Sequence, residues 1–101
     1  MATSTLSGPQ RRHLKSLAHP LVPIVLLGKE GLSEAVCKAA AVALRDHELI
    51  KVKLPQVDKA ERQSLAQQLA EGTESALVQS IGRVVVLYRP HPEKPRIRLP
   101  R

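Results

Sequence analysis

The stretch Ile24-Val25-Leu26-Leu27-Gly28-Lys29-Glu30-Gly31-Leu32-Ser33 decides how this chain folds. Its first four residues form an apolar run too short for a helix, which reads as a buried strand. Gly28-Lys29-Glu30-Gly31 turns the chain, and a helix is expected from about Ser33 to His47. Leu32, Val36, Ala39, Ala40, Ala43 and Leu44 line one side of that segment, while Lys38 and Arg45 point the other way. Leu49 to Leu54 is a second strand, its apolar residues interrupted by Lys51 and Lys53. Strand, helix and strand in succession imply a right-handed crossover and at least partly parallel pairing.

Working outward, Ser7 can cap a first helix, Pro9 suits an early helical position and Pro20 ends it. Leu14, Leu17 and Ala18 share one face of this helix, with Arg11, Arg12 and Lys15 on an adjacent one. Beyond the second strand, Pro55 breaks the chain. Asp58 and Glu61 resemble a capping box opening a third helix, which carries Leu65, Ala66 and Leu69 and stops near Gly72. Leu77 to Ile81 and Val84 to Tyr88 are β-rich runs around Gly82-Arg83, a hairpin whose first turn residue suits a type II′ loop. Four prolines after Arg89 predict an extended tail.

The order α-β-α-β-α-β-β defines an α/β fold. Three helices are expected on one face of a four-stranded mixed sheet, giving a two-layer sandwich. One domain is expected over residues 1–101, with a flexible start at 1–6 and a Pro-rich tail at 90–101.

Charge narrows the function. Sixteen Lys and Arg against nine Asp and Glu leave a net +7. The excess is uneven: +4 over residues 1–29, −2 over 30–75 and +5 over 76–101. A basic surface built from both ends of the chain suits a polyanion. With no Phe, no Trp and one tyrosine, Tyr88, the chain lacks the rings on which single-strand readers stack bases. Binding would have to rest mainly on charge, shape and amide donors.

Catalysis finds little support. Cys37 lies at the edge of an apolar stripe, where a small packed thiol is the expected role. His13, His19, His47 and His91 show no metal-ligand spacing, and His47 is expected to meet carbonyls at a helix end. The Gly-Lys-Ser or Gly-Lys-Thr ending of a nucleotide-binding loop is absent. No enzyme activity, cofactor, metal, membrane or small-molecule substrate is expected. The N-terminus lacks a signal-peptide pattern, so the expected location is the cytoplasm.

Gly28-Lys29-Glu30-Gly31 sits between a strand and a helix N-terminus, where two glycines permit a sharp turn and close approach of a ligand. Helix amides and Lys29 could clamp a phosphate there, although strand-to-helix turns often use glycine for geometry alone. Beyond this loop, the chain resembles the CRM domain family of RNA-binding modules, in its stand-alone bacterial YhbY-type form. The matching stretches are Gln10-Arg11-Arg12, Leu14-Lys15, Leu17-Ala18-His19-Pro20-Leu21, Leu27 to Ser33, His47 to Lys53, Val78 to Arg83, Val86-Leu87-Tyr88-Arg89 and Ile97-Arg98-Leu99-Pro100. The resemblance departs at Lys38-Ala39-Ala40, where members often have an acidic residue and a large aliphatic, and around Pro55.

The resemblance implies a fold similar to the C-terminal domain of translation initiation factor 3. It also implies a role for the Gly28 to Gly31 loop in RNA contact and association with precursors of the large ribosomal subunit. The RNA-contact candidates are Arg11, Arg12, Lys15, Gly28, Lys29, Glu30, Gly31, Lys51, Lys53, Arg83 and Arg89. The expected partner is ribosomal RNA, bound by a monomer. The competing expectation is a protein-docking adaptor in ribosome assembly whose basic face only speeds encounter; DNA binding ranks third, since no helix-turn-helix is recognisable.

Overall fold

In the computed structural model, which describes residues 6–100, seven elements follow the expected order. They are α1 (Gly8–Ala18), β1 (Pro23–Leu26), α2 (Glu34–His47), β2 (Leu49–Lys53), α3 (Lys59–Gly72), β3 (Ala76–Ile81) and β4 (Val84–Tyr88). Each helix starts on the cap its sequence offers. Ser7 and Gln10 exchange backbone and side-chain hydrogen bonds in a full capping box. Ser33 accepts from the Val36 amide, and Asp58 from the Glu61 amide at 2.8 Å. Such caps each stabilise a helix by about 1 kcal/mol.

The sheet order is β1-β2-β4-β3. β1 runs parallel to β2, and β4 lies antiparallel between β2 and β3. Gly82 takes φ +56° while Arg83 stays out of the left-handed region, as a type II′ hairpin requires. β4 is buried on both faces, hence its unbroken run of apolar residues.

The helices differ from the two-layer expectation. α2 and α3 share one face, packing Leu44, Leu65 and Leu69 against Ile50, Val52, Val85 and Leu87. α1 lies on the opposite face, where Leu14 and Ala18 cover Leu49, Val78, Val86 and Tyr88, with Ile97 and Leu99 of the tail alongside. The reason is topological. The crossovers β1-α2-β2 and β2-α3-β3 both step the same way across the sheet, so a common handedness puts their helices on the same side. α1 precedes the first strand, is part of no crossover, and is free to cover the other face.

Of the expected flexible start, residues 1–5 lie outside the described residues, whereas Leu6 packs on the α1-side cluster. The tail has no regular element but is not loose. Cys37 is half-buried, its sulfur 3.3 Å from where a Cβ on Gly72 would stand, so it packs α2 against the end of α3. No described helix is long and apolar enough to cross a membrane.

Candidate nucleic-acid interface

Strand direction fixes where the candidate residues meet. β1, β2 and β3 all point the same way, so the Gly28–Gly31 loop after β1, the end of β2 and the Gly82-Arg83 turn after β3 lie at one end of the sheet. Hydrogen bonds tie them together. The Leu27 amide donates to the Lys53 carbonyl at 2.9 Å, and the Leu54 amide to the Arg83 carbonyl at 2.6 Å. Helices α2 and α3 both begin at this end.

Within the loop, the Gly31 amide donates to the Gly28 carbonyl at 2.9 Å, closing a four-residue turn with Lys29 and Glu30 exposed at its tip. The two glycines serve different purposes. Gly31 adopts φ +79°, a conformation costly for a residue with a Cβ. Gly28 stays outside that region, and a Cβ added there would meet open space. The fold therefore requires glycine at 31 and not at 28.

The basic candidates separate into free and engaged side chains. The side chains of Arg12, Lys15, Lys29 and Lys53 make no hydrogen bond or ion pair among the described residues. Lys53 shares the α1 face of β2 with Lys51. Lys51 donates its ammonium to the carbonyls of His19 at 3.4 Å and Leu21 at 2.9 Å, tying the end of α1 to the sheet. Arg83 is an exposed residue whose Nε donates to the Leu54 carbonyl at 3.1 Å.

Arg11 and Arg89 are not brought to this end. Arg11 Nη1 donates to the Leu77 and Val78 carbonyls at 2.7 and 2.8 Å, at the bulge early in β3, and so anchors α1 to the edge strand. Arg89 follows β4 at the far end and donates to the Thr73 carbonyl.

Sequence reasoning passed over Glu48, which organises that far end. It is fully buried, at φ +65°, between α2 and β2. Its carboxylate accepts from the amides of His91 at 2.9 Å, Arg96 at 2.7 Å and Ile97 at 3.1 Å, and its carbonyl from the Arg89 amide. Burial works to raise this carboxyl, but the three amides and the Arg96 charge outweigh it and hold the group below the ordinary carboxylate value. Burial and the Glu48 charge together push the Tyr88 phenol up. Tyr88 is buried and cannot stack on a base without unfolding its surroundings. His47 is exposed and makes no bond to the helix-end carbonyls among the described residues; Arg96 Nη2 reaches the Asp46 carbonyl instead.

Two further side chains, His19 and Gln79, line a cleft between α1 and the hairpin end of the sheet. The sequence carried one signal for Gln79: alternation along an edge strand, which places a polar residue on a face otherwise apolar.

A four-stranded mixed sheet with helices on both faces and a glycine-turned loop between β1 and α2 defines a small α/β domain. The CRS1 / YhbY (CRM) domain model matches residues 6–89, and the chain belongs to that family. It is 46% identical over 98 residues to a Haemophilus influenzae protein named "RNA-binding protein", covering 97% of this chain and 98% of that one. It is 42% identical over 95 residues to the Bacillus subtilis "Probable RNA-binding protein YqeI", covering 94% and 99%. The solution structure of the Staphylococcus aureus protein SAV1595, described as an RNA-binding candidate, superposes with a TM-score of 0.83 at 43% identity, covering 95% of this chain and all of that one.

Proposed function

We propose that this chain binds structured ribosomal RNA in the cytoplasm during assembly of the large ribosomal subunit, as a monomer and without catalysis. The observation that carries the reading is the gathering of the Gly28–Gly31 turn, Lys53, Arg83 and the α2 N-terminus at one end of the sheet. Lys29 at the loop tip, Lys53 and two cations of α1, the exposed Arg12 and the half-buried Lys15, neutralise phosphates. The turn lets the RNA backbone come close at Gly28, where no side chain intervenes. Arg11, Lys51 and Arg89 act first as braces, since their donors already hold backbone carbonyls. The RNA-binding names of the relatives support the same reading.

A salt titration on a structured ribosomal RNA fragment tests it. Four free cations at roughly 0.7 to 0.9 each give a slope of log K against log salt of about −3, which Lys29→Ala makes shallower by roughly one unit. A flat wild-type slope would overturn the reading. In a low-salt sucrose gradient of lysate the protein should travel with large-subunit particles or their precursors; recovery only at the top would remove the ribosomal assignment.

A second reading has its own observation. Val22, Ile24 and Leu26, at 70%, 50% and 66% exposure, form an apolar strip along β1, an edge strand. Such a strip fits the adaptor role. Particle association that survives loss of the Lys29 charge but not Leu26→Asp would favour it.

A further inference from the structure

α1 crosses its face of the sheet obliquely. Its start is fixed over β3 by Arg11, and its end over β2 by Lys51. The hairpin end of that face is left uncovered, forming a cleft of about 610 Å³. Its floor is aliphatic: Val84 and Val86 alternate along β4, with the exposed Ile81 of β3 at the rim. Gln79, half-buried, presents a side-chain amide with no hydrogen bond among the described residues. Lys15 and His19 stand on the α1 wall, each also free of side-chain partners among those residues.

We infer that this cleft receives one unstacked nucleotide of the RNA, its base on the aliphatic floor against the Gln79 amide and its phosphates on Lys15 and His19. The inference rests on the RNA reading above and deepens it. Three features carry it. The volume falls within the roughly 300 to 1,000 Å³ of ligand pockets, and an apolar lining with a few polar groups is their usual chemistry. A primary amide offers one donor and one acceptor side by side, which matches the edges that unpaired bases present. The Gln79 amide has no partner among the described residues, so both of its groups are available to a base edge entering the cleft. The cleft also opens beside Lys53 and the end of β2, so a backbone held at the Gly28–Gly31 turn runs past its mouth. No ring is needed: the base lies between aliphatic side chains instead of stacking on an aromatic platform.

The experiment compares two RNAs that share one helix, one with a single-nucleotide bulge and one with an abasic residue at the bulge. The wild type should bind the base-bearing bulge roughly tenfold more tightly, and Gln79→Leu, which keeps the shape and removes the amide, should lose most of that preference. Ile81→Glu, at an exposed position on the rim, should lose it too, which covers the case in which Gln79→Leu disturbs the edge strand. Lys29→Ala should weaken both RNAs alike. Adenosine monophosphate at millimolar concentration should compete poorly, because the loop contacts are missing.

Equal binding of the two RNAs by the wild type, with Lys29→Ala still weakening both, would overturn the cleft and leave the RNA reading standing. Full preference in both Gln79→Leu and Ile81→Glu would also overturn it. Micromolar competition by the mononucleotide would move the site to free nucleotides and sink the proposal. Absence of binding to either RNA would overturn both readings.

Discussion

Replacing Glu48 with glutamine tests whether one buried carboxylate fastens the C-terminal tail. Oε1 accepts from Arg96 and Ile97, and Oε2 from His91. Glutamine retains the first oxygen but turns an NH2 toward the His91 amide, donor against donor. Hydrogen bonds to a charged acceptor contribute about 1.5 to 3 kcal/mol each, and the glutamine weakens two while opposing the third. A released tail recovers hydration and conformational freedom, so the net loss at pH 7 is about 2 kcal/mol. For a domain of this size that lowers Tm by roughly 10 °C.

The pH dependence follows from the direction of the shift. The folded carboxyl titrates below its unfolded value, so its contribution is complete above about pH 4.3 and is lost as pH falls through the lower folded value. The gap between wild type and Glu48→Gln should therefore close on acidification. Urea unfolding at pH 7 and pH 3 measures it, and amide exchange at His91, Arg96 and Ile97 localises it. Equal urea midpoints at pH 7, or a gap that widens in acid, would refute the clasp.

Arg11→Ala should cost about 1.5 kcal/mol, because the part-buried carbonyls of Leu77 and Val78 lose their donor; thermal melts check it. Gly28→Ala should leave the urea midpoint unchanged, since its Cβ meets open space, yet weaken RNA if the backbone approaches there. Gly31→Val should lose about 1 to 2 kcal/mol from its positive φ as well as RNA affinity, with the fold retained by circular dichroism. Tyr88→Leu should lower stability through lost packing and leave the salt slope of RNA binding unchanged.

Much of the frame was legible because it is written in local patterns. Ser7, Ser33 and Asp58 are caps that act within three residues, and Gly82 marks a turn that needs one positive φ. The side of the sheet that α1 would take was not legible. Its stripe of Leu14 and Ala18 says that one face is buried and nothing about against what. The candidate list suffered likewise: Arg11 and Lys15 are neighbours on one helix, but only a long-range contact with β3 turns the first into a brace. Glu48 was hidden for a related reason. Its positive φ at the end of α2 is not marked by a glycine, and the partners that reward a carboxylate there lie more than forty positions away.

The same chain direction that gathers the loop, Lys53 and Arg83 also brings two helix N-termini to one end, and the two are not equivalent toward an anion. α3 opens with Asp58 as its cap and Glu61 in its first turn, so its partial positive charge is already met by carboxylates. α2 opens with the neutral Ser33, and its one early acid, Glu34, lies 3.4 Å from Lys38 on the next turn. That exposed pair partly offsets the Glu34 carboxylate, whereas Glu30, exposed in the Gly28–Gly31 turn itself, is a second carboxylate at this end. α2 is therefore the less acidic of the two N-termini, and the loop that leads into it carries both Lys29 and Glu30.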